Sequence, residues 1–290
     1  MILLVGTGYM GKEYAKVLKA MNLNFVAMGR SLANWLKSNK APKTAIIAVT
    51  EDQLGNVTRL LINSGCKNIL VEKPGGFDAN DIKKVARLAK QKRAKVYVGY
   101  NRRFYASTQK ALEFIKKEGV LSFNFDFTER SSIIEKAPQS VKIKRGWFLQ
   151  NSTHVIDMAF FLGGWPKKIS SLKAGSISWH PSGAIYVGSG VTEKEALFAY
   201  HANWKSAGKW SVEIITRKTK LIFRPLEKLQ IQKYGSMATE DYPLDDKVDI
   251  DFKPGLYRQV ESFLGNKKFL PTIDEQVRHL KYYEQIKKAS

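Results

Sequence analysis

The stretch Ile2-Leu3-Leu4-Val5-Gly6-Thr7-Gly8-Tyr9-Met10-Gly11 decides the fold. Four apolar residues in a row read as a strand buried on both faces. A G-x-G-x-x-G turn follows at once, and Met10, Tyr14, Val17, Leu18 and Met21 then recur at helical spacing. Each glycine has its own duty in such a turn. Gly6 permits the tight bend, Gly8 lets a pyrophosphate approach the backbone, and Gly11 lets the helix pack on the strand. Thr7, Tyr9 and Met10 complete the turn, whose helix-start N–H groups face the phosphates. Strand, turn and helix in this order predict a dinucleotide-binding site.

The second strand, 24–28, runs into Gly29-Arg30-Ser31. An NAD-binding domain usually has Asp or Glu there, on the ribose 2′-hydroxyl. Here the carboxylate is absent, Arg30 can pair with a 2′-phosphate and Ser31 can donate to it. NADP(H) is therefore the expected cofactor, with NAD(H) left open. Strands at 44–49, 68–71 and 96–100 alternate with helices at 51–64 and 79–91. Short connections between alternating strands and helices imply a doubly wound parallel sheet. Ligands of such sheets lie outside the carboxyl ends of the strands, where Glu72-Lys73-Pro74 and Asn101-Arg102-Arg103 stand.

The pattern then changes. After a helix at 105–118, Phe123, Phe125 and Phe127 alternate with polar residues, as do Ala196, Phe198, Tyr200, Ala202 and Trp204. Short strands follow at 212–216, 220–224 and 228–233, the first two joined by Arg217-Lys218-Thr219. This is a mostly antiparallel sheet with one covered face. Thr272 and Glu275 form a capping box that starts a final helix. The expected class is α/β: a dinucleotide-binding domain over 1–103 and an α+β domain over 104–290, whose last helices can pack back on the first. A chain of 290 residues suits two domains.

Composition narrows the partners. Lys and Arg number 48 against 26 Asp and Glu, a net charge of +22, yet no block of five or six like charges occurs. Dispersed lysine pairs read as a solvated surface rather than a nucleic-acid arm, and they suit an anionic small substrate. No apolar run is long enough to span a membrane. The start is apolar for five residues and lacks the basic, extended pattern of a secretory signal, so a cytoplasmic protein is expected. One cysteine, Cys66, excludes a disulfide framework and a multi-thiolate zinc site, and four scattered histidines show no metal spacing.

Two candidates carry chemistry. Lys73 precedes Pro74 at a strand end, a setting open to a cis bond; its ammonium can hold a substrate oxygen or pair with Glu72. In Asn151-Ser152-Thr153-His154, Ser152 or Thr153 can cap a helix, placing His154 in a first turn where the dipole disfavours imidazolium. A neutral imidazole there could accept a hydroxyl proton. Arg102 and Arg103 can hold a ligand or tie the domains together.

These residues resemble the Gfo/Idh/MocA oxidoreductase family. The order is Gly6–Gly11, then Glu72-Lys73-Pro74, then Asn101-Arg102-Arg103-Phe104, then His154-x-x-Asp157 before Gly163-Gly164. The resemblance implies an N-terminal Rossmann domain, a C-terminal domain with a large open sheet, and a homodimer or homotetramer. It implies NAD(P)-linked chemistry on a hydroxyl or carbonyl of a sugar, cyclitol or nucleotide sugar. Lys73 and His154 map to the catalytic centre, Glu72 and Lys73 to its cofactor side, and Arg102, Trp147, Gln150 and Asn151 to the substrate wall. The family often has Asp in D-x-x-x-H where this chain has Gln150, which cannot take a proton. A dinucleotide-binding regulator without turnover is therefore the alternative expectation.

Overall fold

The computed structural model describes residues 1–288 and separates into two compact units. In chain order the first comprises β1 Ile2–Val5, α1 Tyr9–Ala20, β2 Phe25–Met28, α2 Leu32–Ser38, β3 Thr44–Ile47, α3 Leu54–Asn63, β4 Asn68–Glu72, α4 Ala79–Gln91 and β5 Lys95–Gly99. The second comprises α5 Ala106–Glu118, β6 Val120–Asp126, α6 Ser131–Lys136, α7 Val141–Arg145, α8 Thr153–Gly163, β7 Pro166–Ala174, β8 Ile185–Thr192, β9 Leu197–Asn203, β10 Ser211–Thr216, β11 Thr219–Phe223, β12 Gln230–Lys233 and β13 Glu240–Asp241. The chain closes with α9 Lys247–Asp251, α10 Leu256–Leu264 and α11 Ile273–Lys287. Residues Val248–Leu280 belong to the first unit, and the second resumes at Lys281.

The first unit holds a parallel sheet ordered β2-β1-β3-β4-β5. Its central strands are unbroken apolar runs because helices cover both faces. Strand order reverses between β1 and β3, the switch point at which doubly wound sheets open a ligand crevice. Two late segments complete this unit. Val98 donates its N–H to the carbonyl of Pro271, and Gln259 of α10 reaches Tyr14 of α1. Thr272 and Glu275 form the expected capping box, with Thr272 N–H on Glu275 Oε2 at 2.7 Å and Glu275 N–H on Thr272 Oγ1 at 3.2 Å.

The second unit is built on an eight-stranded sheet, β13-β12-β11-β10-β6-β9-β8-β7. All neighbours are antiparallel except β6 and β9. In that parallel pair Phe123 stands beside Phe198 and Phe125 beside Tyr200, with ring centroids 5.3 and 5.4 Å apart. Phe160 of α8 meets Phe123, Phe125 and Phe198 edge-on, so the helix caps an aromatic layer. Strands β7 and β8 have no strong sequence signal. Lys167, Lys168, Ser170, Ser171 and Lys173 give β7 the composition of a wetted edge. Gly188 weakens β8 on paper, yet a Cβ there would lie 2.3 Å from the Tyr200 hydroxyl. The glycine admits the aromatic layer.

One ion pair sets how α8 meets the start of α5. Arg103, in the 3-10 turn Asn101–Phe104, sends Nε and Nη2 to the two carboxylate oxygens of Asp157 at 2.7 and 2.6 Å. Side-chain exposure is 7% for Arg103 and 1% for Asp157, so water does not compete. The guanidinium also lies over Phe161, 4.7 Å from its ring centre. Removing one partner of such a pair strands a buried charge, at a cost of about 3–5 kcal/mol. Asp157→Ala should therefore lower the urea midpoint strongly. Glu113→Ala, which breaks the exposed Lys110 pair, should leave it in place. Equal midpoints for wild type and Asp157→Ala would show that the fork contributes nothing.

Candidate functional site

The glycine turn of the first unit has the form a dinucleotide needs. Gly6 sits at φ +124°, and a Cβ there would lie 2.1 Å from the Ala48 carbonyl oxygen beyond the end of β3. A Cβ on Gly11 would lie 2.0 Å from the Gly6 carbonyl oxygen, whereas one on Gly8 would meet nothing within 4 Å. Two glycines thus close the turn on itself, and the third leaves its outer side open. Gly8 is the N-cap of α1 and supplies no side-chain acceptor, so the first amides of α1 have no cap to satisfy them. These residues fit a pyrophosphate. Thr7 and Tyr9 are exposed beside the turn and Met10 is half-buried. Ser31 precedes α2, and Arg30 lies exposed after Gly29, with no carboxylate between β2 and α2.

Glu72 ends β4 and is held inside the unit. Tyr14 donates its hydroxyl hydrogen to Glu72 Oε1 at 2.7 Å, and Gln259 Nε2 donates to Tyr14 at 2.8 Å. Burial pushes the Glu72 carboxyl up, against the Tyr14 hydrogen bond and the charges of Lys73 and Lys253. The Lys73–Pro74 bond is cis, and the Pro74 carbonyl accepts from Gln276 Nε2 at 3.1 Å. Lys73, half-buried, is thus carried on a turn anchored on both sides: Glu72 by α1, Pro74 by α11. The Tyr14–Glu72–Gln259 chain was outside the sequence reading, because its members lie 58 and 245 residues apart.

The second unit has an open cavity of about 390 Å³. Its wall includes Arg102, Glu129, Trp147, Asn151, Lys209 and Trp210. Three of the four expected wall residues, Arg102, Trp147 and Asn151, therefore meet around one space. Gln150 is not in that wall. Its buried amide packs over Gly146, where a Cβ would lie 2.6 Å from Gln150 Nε2. The Arg102 guanidinium lies over Trp210 at 4.8 Å. His154 is buried, with its ring 6.3 Å from that of Trp210, and is not a wall residue either.

The expected helix cap at Ser152 or Thr153 needs correction. Ser152 Oγ donates instead to Glu129 Oε1 at 2.7 Å, and Thr153 Oγ1 donates to the Leu149 carbonyl at 2.7 Å. A π-helical turn, Phe148–Ser152, runs directly into α8. Helical backbone upstream of Thr153 moves His154 away from a free helix N-terminus. A dipole that disfavours imidazolium, expected from a first-turn position, is therefore not available to it.

Glu129 was not singled out from sequence, although a signal existed. Residues 123, 125 and 127 point inward by alternation, and 129 continues that parity with a carboxylate. Its oxygens accept from Ser152 and, at 3.1 and 3.2 Å, from Asn151 Nδ2. Burial pushes its pKa up to about 7, opposed by Ser152, Trp147, Asn151 and the Arg102 charge. Trp210 carries no comparable signal, since it lies in a loop before β10.

Residues 26–100 match the family model described as "Oxidoreductase family, NAD-binding Rossmann fold", that of Gfo/Idh/MocA. No curated protein matches the chain in sequence. Solved structures match it in fold across nearly its whole length. A UDP-N-acetylglucosamine 3-dehydrogenase from Acidithiobacillus ferrooxidans shares 15% identity at a TM-score of 0.72, covering 99% of this chain and 96% of its own. A putative NADPH-dependent oxidoreductase from Desulfitobacterium hafniense shares 17% at 0.77, covering 99% and 94%. The WlbA dehydrogenase from Bordetella pertussis, in complex with NADH and UDP-GlcNAcA, shares 15% at 0.76, again covering 99% and 94%. The family model thus covers part of the Rossmann segment, and the solved structures share the fold of both units.

Proposed function

We propose that the chain is an NADP(H)-linked oxidoreductase acting on a hydroxyl or carbonyl of a sugar, cyclitol or nucleotide sugar. The observation that carries this reading is the glycine turn, closed by Gly6 and Gly11 and open at Gly8, within a segment matched to an NAD-binding family. Gly6, Thr7, Gly8, Tyr9, Met10 and Gly11 hold the pyrophosphate, and Arg30 with Ser31 holds the 2′-phosphate. When bound, the nicotinamide supplies hydride acceptance or donation. Lys73 holds the reacting oxygen, its position secured through Glu72 and Pro74, and His154 exchanges the proton. The names of two neighbours, which concern UDP-sugars, support a nucleotide sugar. So does the cationic wall of the second-unit cavity, where Arg102 and Lys209 suit an anionic substrate beside Trp147, Asn151 and Trp210.

The protein works as a homodimer or homotetramer in the cytoplasm. The solvent face of the large sheet supports the first part of this reading. Leu172 and Val187 oppose one another in register there, and Leu172 and Leu197 are 62% and 63% exposed. An apolar face of this kind marks an association surface. Among the described residues no helix is long and apolar enough to cross a membrane. The second reading, a dinucleotide-binding regulator, draws on Gln150, whose amide cannot take the proton an Asp would. Turnover separates the two.

Three outcomes test this reading. NADPH should bind more tightly than NADH in fluorescence titrations, and Arg30→Ala should remove most of the preference by deleting a charge-assisted donor; equal affinities in wild type would refute the assignment. Lys73→Ala and His154→Ala should each lower kcat by about 10²-fold or more, with NADPH affinity little changed. Near-normal turnover in both would remove them from the chemistry. Light scattering should give a dimer or tetramer that Leu172→Asp with Leu197→Asp dissociates, whereas a wild-type monomer at micromolar concentration would count against the sheet interface.

A further inference from the structure

The glycine turn Gly6–Gly11 carries no charged side chain. Its open amides can hydrogen-bond a pyrophosphate, but they offer only the partial positive charge of a helix start. The first unit brings a full cation to the same place from a distant part of the sequence. Lys253 Nζ lies 5.2 Å from the ring centre of Tyr9, the first residue of α1. The same charge acts on Glu72, which ends β4. The ammonium is therefore close both to the turn and to the strand end that carries Lys73, on the side of the parallel sheet where ligands bind.

The backbone beneath Lys253 is fixed by the first unit alone. Residues Val248–Leu280 belong to that unit. Within them the segment 249–255 is tied to the rest at both flanks. On one flank Lys16 of α1 donates from Nζ to the Asp251 carbonyl, and the same ammonium lies 5.1 Å from the ring centre of Phe252. On the other flank Asn101, just after β5, donates from Nδ2 to the Pro254 carbonyl at 2.9 Å. Asp249 closes the segment on itself: its Oδ1 accepts from the Gly255 N–H at 2.8 Å and from Arg258 Nη1 at 2.9 Å. Gly255, at φ +75°, then turns the chain into α10. Anchoring of this kind lowers the ordering cost of binding a ligand. Lys253 is half-buried and Tyr9 beside it is 67% exposed, so the ammonium stands at the surface of the crevice. Glu72 has other support: Tyr14 donates to it, and Lys73 acts on it more strongly than Lys253 does.

We propose that Lys253 is a cofactor-binding residue whose ammonium pairs with the pyrophosphate of the dinucleotide held on the glycine turn. This rests on the proposed binding of a nicotinamide dinucleotide. The turn supplies directed amides and the loop before α10 supplies the charge, so two segments far apart in sequence grip one group. The pyrophosphate is common to NADPH and NADH. Lys253 therefore contributes affinity for both and, unlike Arg30, no preference between them.

Fluorescence titration of the full chain with NADPH and with NADH, at low and at high salt, tests this. Lys253→Met keeps the apolar stem and deletes the charge. It should raise Kd for both cofactors by about tenfold, the scale of one charge-assisted hydrogen bond, and leave their ratio unchanged. It should also flatten the salt dependence, because salt screens a charge pair near the surface. Lys253→Arg should keep most of the affinity. Kd values within twofold of wild type in Lys253→Met overturn the proposal. Weakening confined to one of the two cofactors overturns it as well, since the pyrophosphate belongs to both. Equal losses in Lys253→Met and Lys253→Arg mark a structural lysine and also overturn it. If the variants fail to fold, amine labelling of wild type with acetic anhydride decides. Saturating NADPH should protect Lys253 and leave Lys83, exposed on α4, as reactive as before; an unprotected Lys253 overturns the proposal. A wild type that binds neither cofactor overturns the dinucleotide reading itself, and this role with it.

Discussion

A guanidinium–carboxylate fork that water cannot reach governs the second unit. Arg103 and Asp157 face each other through two hydrogen bonds inside an apolar setting, and each would be a costly isolated charge without the other. The pair fixes one orientation of α8 against the start of α5. Arg102, immediately before Arg103, is thereby carried into the cavity wall, and the π-helical turn that precedes α8 presents Asn151 and Ser152 to Glu129. Two motifs that look independent in sequence, Asn101-Arg102-Arg103-Phe104 and His154-x-x-Asp157, are the two halves of one contact.

The same logic recurs in the first unit at Glu72. Its carboxylate accepts from Tyr14, which accepts in turn from Gln259, while Pro74 is tied to Gln276. Acidic residues in both motifs thus serve to aim their neighbours: Glu72 aims Lys73, and Asp157 aims the segment carrying Arg102. A third acid, Glu129, lines the cavity and belongs to neither motif. An inventory of motif residues alone therefore separates poorly from an inventory of reactive ones.

Much of this architecture is legible in the sequence, for reasons that are local. The Gly6–Gly11 turn is a short-range device, and the apolar runs of β1, β3 and β4 report burial on both faces directly. Alternation of Phe123, Phe125 and Phe127 reveals the covered face of the second sheet because strand periodicity is two. Long-range compensation is what stays hidden. β7 reads as polar because it is an edge, and β8 loses apolar bulk at Gly188 because Tyr200 supplies it from the neighbouring strand. Ser152 and Thr153 look like caps, yet their hydroxyls serve a glutamate 23 residues upstream and a carbonyl in the preceding π-helical turn. Glu129 was visible as a charge at an inward position, but its partners come from the far side of two short helices.

The central claim is that this chain moves hydride between a carbohydrate carbon and a nicotinamide. Its most direct measurement follows the hydrogen itself. The protein is incubated with oxidised NADP and a panel of sugars, cyclitols and nucleotide sugars deuterated at their ring carbons, and the recovered cofactor is weighed by mass spectrometry. The account predicts reduced cofactor carrying a single deuterium on the nicotinamide, formed by wild type and not by Lys73→Ala. Cofactor that binds the protein but comes back unlabelled from every member of the panel would contradict it.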